Sequence, residues 1–411
     1  MTVLGTAVVG GGAAGMMAAI SAAQMGEKVS LLEGNQQLGR KILVSGNGRC
    51  NLTNREADSL GHYHGTQAVF ARDALAAFPL QQTLEFFEHL GIETREEKRQ
   101  RLFPVSDQAR SVVDVLEDRL RALGVQVLLG VKVCELAAES GRGFRLVAGS
   151  GQRFAAERVI LSSGGISVSK LGADASGMDL ATSVGHSRTE LCPGLVPLLS
   201  PDRAVRRMKG VRVRAEVSAH LPGHRRPITD TDDLLLTAYG VSGFTILNLS
   251  AQLVPALAQA PVVLTVNLFP GHSAEQVSEV LSQRWNRHPH RTLALSFAGL
   301  LHSRVAGAMI HRLELASDVP VSSLTKAQRW RLAQGLTAWQ IEVTGPHSFD
   351  HAEVTIGGVR TEEINPETME SYLVPGLYLA GEMVDVHGDL GGFNFQWAWA
   401  SGYLAGQARG A

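Results

Sequence analysis

A glycine-rich turn near the start of the chain has the clearest chemical use. It reads Val8-Val9-Gly10-Gly11-Gly12-Ala13-Ala14-Gly15, and the acid Glu33 follows at a spacing of about 20 residues. Gly10 permits a tight turn, Gly12 lets a pyrophosphate approach the backbone, and Gly15 lets a helix pack closely on a strand. The pyrophosphate would lie on free N–H groups at the positive end of that helix, and Glu33 would accept hydrogen bonds from a ribose hydroxyl.

The elements around this turn agree with that chemistry. Thr2 to Val9 predicts a buried strand, Ala13 to Gly26 a helix of small residues, and Lys28 to Leu32 a second strand with Glu33 at its end. A strand precedes the glycines, a helix follows them and an acid lies at the right spacing. We therefore predict a dinucleotide-binding unit and treat a glycine turn without a ligand as the weaker alternative.

A second segment, Gln37 to Asn54, is dense in Gly, Ser, Asn and Arg and predicts a functional loop. Gly46 and Gly48 allow backbone N–H groups to face a ligand. The cations that can offset pyrophosphate charge are Arg40, Lys41 and Arg49. Since this loop leaves the sheet at the end where the ligand binds, we prefer a ligand-binding loop to a solvated basic turn.

The same loop resembles the signature of the BaiN/RdsA-type flavoproteins, also called the YhiN or aminoacetone-oxidase-like family, over the run Gly39-Arg40-Lys41-(x)3-Ser45-Gly46-Asn47-Gly48-Arg49-Cys50-Asn51-Leu52-Thr53-Asn54. The family's C-terminal pattern is matched by Gly381, Glu382, Asp385, Gly388, Gly391, Gly392 and Asn394. The resemblance implies that the tightly held dinucleotide is FAD rather than NAD, and we expect it to be non-covalent.

The resemblance also implies cofactor contacts elsewhere. In enzymes of this architecture, the strand that holds Val133 passes the adenine, and the Gly-Gly turn after Arg158 to Ser163 resembles a second FAD-contacting turn. Glu382 would bind ribityl hydroxyls, and the helix Gln396 to Leu404 would turn its N-terminal N–H groups to the flavin. The candidate cofactor-binding residues are Gly10, Gly12, Ala13, Ala14, Gly15, Glu33, Arg40, Lys41, Ser45, Gly46, Gly48, Arg49, Cys50, Asn51, Val133, Gly164, Gly165, Gly381, Glu382, Gly391, Gly392, Phe393 and Asn394.

Few side chains are candidates for catalysis near the flavin. Asn47, Cys50 and Asp385 are weak candidates, and we expect Cys50 to pack beneath the flavin rather than to react as a thiol. His387 departs from the small residue usual in the family and is assigned no catalytic role. His186 closes a predicted helix and is expected to be structural.

The predicted fold is α/β, with a Rossmann-like two-dinucleotide-fold FAD domain built from both ends of the chain, 1–192 and 342–411. An inserted domain occupies 193–341. Prolines and alternating runs such as Val211 to Val217 predict a β-rich part over 193–270. The helices predicted for the remaining part, 271–341, are Ser273 to Arg287, Leu293 to Leu313 and Ser323 to Leu336.

Composition and cysteine spacing exclude several classes. The three cysteines lie far apart without a CxxC pair, which argues for a reducing compartment and against a zinc site or a disulfide-exchange flavoenzyme. The N-terminal apolar run breaks at Gly10 and lacks a basic region before it, so we expect a strand rather than a signal peptide. No apolar stretch is long enough to span a membrane, so a cytoplasmic protein is expected.

The charge distribution bears on the substrate. Between Pro193 and Ile341 there are 16 Lys and Arg residues against 9 Asp and Glu residues, so the insert is basic although the whole chain carries a net charge of -1. The cations crowd into one segment as Arg203, Arg206, Arg207, Lys209, Arg212, Arg214, Arg225 and Arg226. Such a stripe can bind RNA phosphates, and a solvated or dimer-facing surface is the alternative.

The residues leave three functions open. The first is an FAD-dependent oxidoreductase that reduces a C=C bond with NAD(P)H, which visits transiently because the chain has no second GxGxxG. The family resemblance implies bile-acid intermediates, amines or ribosomal RNA as substrates. Ala238 and Phe244 replace the family's His and Pro in the insert, which puts direct transfer of a substrate in doubt. The second is an amine oxidase of the aminoacetone type, and the third is a flavoprotein whose insert docks RNA or a protein.

Overall fold

The computed structural model describes residues 2–139 and 143–408. The helices of those residues are α1 (Ala13–Gln24), α2 (Arg40–Gly48), α3 (Ala71–Ala77), α4 (Leu80–His89), α5 (Ala109–Ala122), α6 (Ser176–Ser183), α7 (Arg203–Arg207), α8 (Phe244–Leu257), α9 (Ala274–Arg287), α10 (Leu293–Ser296), α11 (Ser303–Arg312), α12 (Lys326–Thr337) and α13 (Phe393–Gln407).

The strands of the same residues are β1 (Thr2–Val9), β2 (Val29–Glu33), β3 (Thr53–Asn54), β4 (Tyr63–His64), β5 (Thr94–Glu97), β6 (Arg101–Pro104), β7 (Gln126–Leu129), β8 (Val133–Ala138), β9 (Phe144–Ala148), β10 (Arg153–Leu161), β11 (Cys192–Gly194), β12 (Leu198–Leu199), β13 (Arg212–Ala219), β14 (Ile228–Leu236), β15 (Gly240–Ser242), β16 (Val262–Asn267), β17 (Trp339–Val343), β18 (Gly345–Pro346), β19 (Val354–Ile356), β20 (Leu377–Leu379) and β21 (His387–Gly388).

The chain divides into two compact units. One consists of Met1–Cys192 with Glu353–Ala411, and the other is Pro193–Ala352. The sequence placed the end of the insert at 341, which falls inside β17. Because β17 pairs with β16 and β18 pairs with β12, the strands up to Pro346 belong to the second unit.

The first unit is built on a sheet with the order β7-β2-β1-β10-β9-β8, and β20 joins β10. The pairs among β7, β2, β1, β10 and β20 are parallel, whereas β9 forms antiparallel pairs with β10 and β8. The central strands are apolar and buried because helices cover both faces of a parallel sheet. This is the predicted Rossmann-like α/β architecture, and α13 from the far end of the chain packs on α1.

Several boundaries in this unit differ from the predictions. The segment predicted as a loop begins as helix α2, which is interrupted by extended or left-handed backbone at Ser45, Gly46 and Asn47. The sequence predicts a helix from Ser111 to Leu123, but α5 begins at Ala109. It ends before Gly124, whose φ of +71° suits glycine. The sequence predicts a hairpin of Phe144 to Ala148 with Arg153 to Ala155, and then a separate strand from Arg158 to Ser163. In the structure the second hairpin strand and the separate strand are one strand, β10, which is nine residues long.

The second unit contains an antiparallel sheet of order β17-β16-β13-β14-β15-β12-β18. Its part over 193–270 is not only β, because α7 and α8 lie in it. Helix α8 was missed although its buried residues Ile246, Leu249, Leu253 and Leu257 recur at helical spacing. The helix predicted over Leu293 to Leu313 is two helices, α10 and α11. In the described part of the chain, no helix is long and apolar enough to cross a membrane.

Buried Arg158 ties α13 to the sheet, and we predict a large stability loss when it is replaced. Its Nη1 donates to Glu27 Oε1 at 2.7 Å, its Nη2 donates to the carbonyl of Ala405, and its guanidinium carbon lies 4.2 Å from the Tyr378 ring centroid. Arg158→Ala would leave the Glu27 carboxylate without its buried partner. The expected loss is about 3 kcal/mol in the free energy of unfolding, measured by urea denaturation.

The matched control is Arg121→Ala, which removes an ion pair to Asp118 in which both side chains are about three-quarters exposed. Such surface pairs contribute below about 1 kcal/mol. Equal losses for the two variants would contradict the role given to Arg158.

Candidate functional site

The N-terminal end of α1 leaves its first-turn N–H groups available. Gly12 is the N-cap, and no side chain of the described residues caps the helix. The first four N–H groups of any helix have no partner within it, so they need a ligand, water or a cap. A Cβ built on Gly12 meets nothing within 4 Å. The turn is therefore an open, positively polarised cradle of the kind that binds a phosphate.

The Glu33 carboxylate lies beside this cradle. Its Oε2 accepts from the Gly11 N–H at 2.6 Å, and its Oε1 accepts from the Asn35 N–H at 2.7 Å. These bonds fix the carboxylate and leave further lone pairs for hydroxyl donors. The segment leading into β8 lies alongside, since Val131 N–H donates to the Glu33 carbonyl at 2.9 Å, and Val133 opens β8 as a buried residue.

Lys41 and Glu382 meet although they come from opposite ends of the chain. Lys41 Nζ lies 2.7 Å from Glu382 Oε2, and Glu382 Oε1 accepts from the Thr355 N–H at 2.8 Å. Arg40 donates instead to Asn35 Oδ1 at 2.6 Å and to the Lys170 carbonyl at 2.9 Å. The structure thus brings the predicted cofactor residues Glu33, Arg40, Lys41 and Glu382 into two hydrogen-bonded groups.

Arg49, which the sequence predicts to offset pyrophosphate charge, has protein partners in the structure. Its Nη1 donates to Glu97 Oε1 at 2.7 Å, and its guanidinium carbon lies 4.4 Å from the Phe103 ring centroid. This hydrogen bond also holds the pKa of the Glu97 carboxyl below its ordinary value, against the opposing effect of burial. In the structure Arg49 fixes the Ser45–Cys50 turn to β5 and β6. No sequence spacing indicated this partner.

Cys50 and Asn51 follow that turn. Cys50 is fully buried, and burial raises the pKa of its thiol to about 12. The thiol is therefore neutral at ordinary pH and is a poor nucleophile. Asn51 Oδ1 is buried without a hydrogen-bond partner among the described residues. A buried acceptor in this state needs a donor that the protein does not supply, which a bound ligand would provide.

The Gly164-Gly165 turn has one open and one closed side. A Cβ on Gly164 would meet nothing within 4 Å, and the φ of this residue is +77°. A Cβ on Gly165 would collide with Thr355 Oγ1 and would lie 2.8 Å from Glu382 Oε1. Gly165 therefore lets Thr355 and Glu382 approach the turn, and the backbone at Gly164 remains free for a ligand.

Helix α13 begins with a second uncapped N-terminus. Gly392 is the N-cap, with a φ of +107°, and a Cβ there would lie 2.5 Å from the Thr53 backbone. The Asn394 side-chain amide is hydrogen-bonded to the protein backbone. Its Oδ1 accepts from Gly388 N–H at 2.8 Å, and its Nδ2 donates to the Gly388 carbonyl at 2.8 Å. Asn394 thus clamps the turn that leads from Gly388 to Phe393.

The N-terminal ends of α1 and α13 point in the same direction. Gly402 packs on Ala14 and Gly406 packs on Ala18, so α1 and α13 run parallel. Because Gly402 lies level with Ala14, Ser401 lies level with Ala13, the first residue of α1. Phe393, the first residue of α13, precedes Ser401 by eight residues. At 1.5 Å per residue this offset is about 12 Å. A ligand that uses both positive ends must be elongated, as a dinucleotide is.

The structure gives Asp385 and His387 anchoring positions. Asp385 Oδ2 accepts from Thr66 N–H at 3.1 Å and from Thr66 Oγ1 at 2.5 Å. His387 is buried, and its pKa is lowered to about 4. The main cause is burial, and the second is repulsion from His64. Asn47 has left-handed backbone.

His186 is buried between Glu363 Oε2 at 2.9 Å and Ser371 Oγ at 2.8 Å, which is a structural position.

A cluster of His62, His64 and Asp389 was not predicted from the sequence. Asp389 Oδ2 lies 2.9 Å from His62 Nδ1, and Asp389 Oδ1 lies 2.7 Å from His64 Nε2. The cluster forms because β4 pairs with β21. A His-x-His spacing was the available signal, but its acidic partner is distant in sequence. Within residues 2–139 and 143–408 no group of three or more His, Cys, Asp or Glu side chains has the arrangement of a metal site.

Comparison with known proteins identifies the family. The HI0933-like protein Rossmann domain matches residues 4–408. The chain belongs to this family. It is 39% identical over 404 residues, 98% of each chain, to a 3-dehydro-bile acid delta(4,6)-reductase from Clostridium scindens. It is 32% identical over 403 residues, 97% of this chain and 96% of the relative, to a ribosomal RNA dihydrouridine synthase from Escherichia coli.

A solved structure agrees at the level of the fold. The 3-ketosteroid delta1-dehydrogenase from Sterolibacterium denitrificans, in complex with 1,4-androstadiene-3,17-dione, has a TM-score of 0.51 at 13% identity and covers 99% of both chains. The family resemblance and the α/β fold class predicted from the sequence are confirmed. The HI0933-like chain is an FAD-dependent oxidoreductase.

The residues present fit FAD. The cradle at Gly12, the open backbone at Gly164, the orphaned Asn51 Oδ1 and the uncapped start of α13 are unsatisfied features that an elongated dinucleotide would complete. When bound, FAD supplies hydride chemistry, and the protein supplies orientation and electrostatics. The N–H groups of α13 would stabilise negative charge on a reduced ring.

We predict that Gly12→Glu abolishes FAD retention without unfolding the protein. The new side chain has room, since a Cβ on Gly12 meets nothing within 4 Å, but its carboxylate would repel the pyrophosphate. The purified variant should be colourless, with a circular dichroism spectrum like that of the wild type. Gly12→Ala is the control for backbone effects and should keep much more of the yellow cofactor. A fully loaded Gly12→Glu protein would rule out this cradle.

Proposed function

We propose that this HI0933-like protein uses NAD(P)H and non-covalent FAD to reduce a C=C bond conjugated with a ketone in a steroid-like small molecule. The observation that carries the proposal is the 39% identity to the Clostridium scindens reductase, which extends over 98% of both chains. Identity of this extent includes both units, so it covers more than the cofactor-binding half. The family fold alone would not favour one substrate over another.

The site geometry supports the hydride part of this proposal. The two uncapped helix N-termini are set for an elongated dinucleotide, and the α13 end can stabilise a reduced ring. The chain carries one dinucleotide fingerprint, so we propose that NAD(P)H visits transiently and leaves after reducing the flavin. The buried, neutral Cys50 thiol argues against thiol-dependent transfer.

Ribosomal RNA is a second candidate substrate. The eight cations between Arg203 and Arg226 lie in the second unit, and all of them are exposed. Arg212 has an acidic partner at 3.2 Å, Asp233, so part of the stripe is neutralised locally. Formation of dihydrouridine also saturates a ring C=C bond next to a carbonyl. It therefore resembles the reduction of a C=C bond conjugated with a ketone. Ribosomal RNA is named as the substrate because the relative from Escherichia coli is a ribosomal RNA dihydrouridine synthase.

An amine oxidase and a docking flavoprotein would each behave differently from a reductase. An oxidase of the aminoacetone type would have its flavin reduced by the amine alone and would release peroxide without NAD(P)H. A docking flavoprotein would show little turnover with any acceptor other than oxygen. No geometry among the described site residues favours either function over the reductase.

We predict that NADH or NADPH bleaches the flavin absorbance of the anaerobic protein and that 3-oxo-4-cholenoic acid then restores it. The physical reason is that an electron-poor conjugated C=C bond accepts hydride from a reduced ring. The saturated 3-oxo analogue is the control acceptor and should leave the flavin bleached. Flavin that stays oxidised with both nucleotides but is reduced by aminoacetone would replace the reductase with the oxidase.

For the RNA candidate, the informative measurement is the salt dependence of affinity for a ribosomal RNA fragment. Arg206→Ala, Arg207→Ala and Arg212→Ala together should weaken binding and lower the slope of log K against log salt by up to about 3, because fewer counterions are released. The matched triple variant replaces Arg110, Arg119 and Arg121 on α5 with Ala. If both triples leave the slope unchanged, the stripe does not bind RNA.

A further inference from the structure

The His62–His64–Asp389 cluster lies at the start of the helix on which we place the flavin ring. Its acid, Asp389, is three residues before the N-cap Gly392. The His62 ring stacks on the ring of Phe393, the first residue of α13, at 4.3 Å between centroids. Asp389 N–H donates to the His62 carbonyl at 2.9 Å. The cluster is therefore fixed to the positive end of α13 by backbone and side-chain contacts.

The two histidines differ in the nitrogen atoms that remain available. His62 has a carboxylate at each nitrogen, with Asp389 Oδ2 at 2.9 Å from Nδ1 and Glu56 Oε2 at 3.3 Å from Nε2. His64 uses only Nε2, which lies 2.7 Å from Asp389 Oδ1. Its Nδ1 has no partner in the described part of the chain, and the side chain is 36% exposed. His64 is thus an imidazole oriented by a carboxylate with its second nitrogen open.

This arrangement defines where a proton can be held. Because an ionised carboxylate only accepts, Nε2 of His64 carries a proton toward Asp389 in both protonation states of the ring. The proton that comes and goes is therefore on Nδ1, the open atom. The same division of roles, with one nitrogen held by a carboxylate and the other exchanging a proton, operates in acid–base dyads of enzymes.

The charged surroundings keep Asp389 ionised. Burial raises its pKa, but hydrogen bonds from His64 and His62 outweigh burial and lower the pKa below the ordinary value. His387 faces His64 across the β4–β21 pair at 5.5 Å between rings and stays neutral, since burial lowers its pKa to about 4. The other ionisable groups around the cluster are Glu56 on His62, Asp385 on Thr66 and Glu382, whose charge acts on His387.

The other acids near the site are unsuited to this task. Cys50 is a buried thiol with a pKa raised to about 12. The Asp385 carboxylate is buried and accepts two hydrogen bonds from Thr66. His387 is buried and neutral over the working range of pH. Among these candidates only His64 combines exposure, an orienting partner and an open nitrogen.

Resting on the function proposed above, we propose that His64, oriented by Asp389, is the proton donor in the reduction of the conjugated C=C bond. One carbon receives a hydride, with both electrons, from the cofactor that NAD(P)H has reduced. The other carbon receives the proton from His64 Nδ1. The C=C π bond, the bond that held the transferred hydride in the reduced cofactor and the Nδ1–H bond break, and two C–H bonds form. The cofactor would end oxidised. His64 ends neutral and takes a new proton from water.

The test separates the oxidative half-reaction from the rest of the cycle. Photoreduced wild-type protein and His64→Gln protein are mixed anaerobically with 3-oxo-4-cholenoic acid in a stopped-flow instrument. Gln can still donate a hydrogen bond to Asp389 but cannot supply a proton. We expect reoxidation at least about 100-fold slower in His64→Gln, with FAD content and NAD(P)H-driven bleaching retained.

Two further variants exclude a merely structural role. His62→Gln disturbs the same carboxylate, so a loop-holding role would make its effect equal to that of His64→Gln, and proton donation would make it much smaller. His89→Gln on α4 is the distant exposed control. Equal rates for the wild type and His64→Gln, or equal losses in His62→Gln and His64→Gln, would overturn the assignment while leaving the reductase standing.

A readout that does not depend on turnover uses diethyl pyrocarbonate, which modifies free imidazole nitrogens. Saturated 3-oxocholanoic acid should protect His64, but not His89, from modification, as measured by peptide mass spectrometry. Lack of protection in protein that binds the steroid would also overturn the assignment. Wild-type reduced protein that no conjugated acceptor reoxidises would instead remove the reductase function and the proton donor with it.

Discussion

The close approach of α1 and α13 is the constraint on which the first unit depends. A Cβ on Gly402 would collide with the Ala14 carbonyl oxygen, and one on Gly406 would lie 2.5 Å from that of Ala18. The helices can therefore pack backbone to backbone only because glycines on α13 face the small residues of α1. Ser21 Oγ donates to the Tyr403 carbonyl at 2.9 Å and locks their register. This register sets the offset between the two helix N-termini, and hence the shape of ligand that can use both.

Two positive helix ends would favour any anion, and the carboxylates near them make the site more selective. Glu33 is fixed by two backbone N–H groups, and Glu382 by Thr355 N–H and Lys41. Anchored carboxylates accept hydrogen bonds from hydroxyls and repel free phosphate. N–H cradles accompanied by carboxylate acceptors therefore match a molecule that alternates phosphate with sugar or ribityl hydroxyls. The orphaned acceptor of Asn51 adds a place for a ligand N–H group.

The parts that the sequence predicted well are those in which a local rule leaves one solution. The Gly10 to Gly15 turn and the strand before it follow from spacing alone, and the family signature extended the same logic to Gly391 and Gly392. The partners of Arg49 and Asn394 could not be predicted in this way. A cation in a polar loop is compatible with either a phosphate or a carboxylate, and Glu97 lies on a strand that no spacing rule connects to Arg49. Helix α8 was overlooked because prolines around it favoured strands.

The pairing of β4 with β21 was also beyond local rules, and it joins two tasks in one small element. Asn394 holds the Gly388 backbone, Asp389 holds His62 and His64, and the next residues open α13. In the proposed reduction, the face that meets the flavin and the group that gives the proton are consequently fixed by the same turn. The first unit has its own buried core, as does the second. His62, His64, Asp389 and α13 all belong to the first unit, so that unit carries the groups that would set the stereochemistry of the reaction.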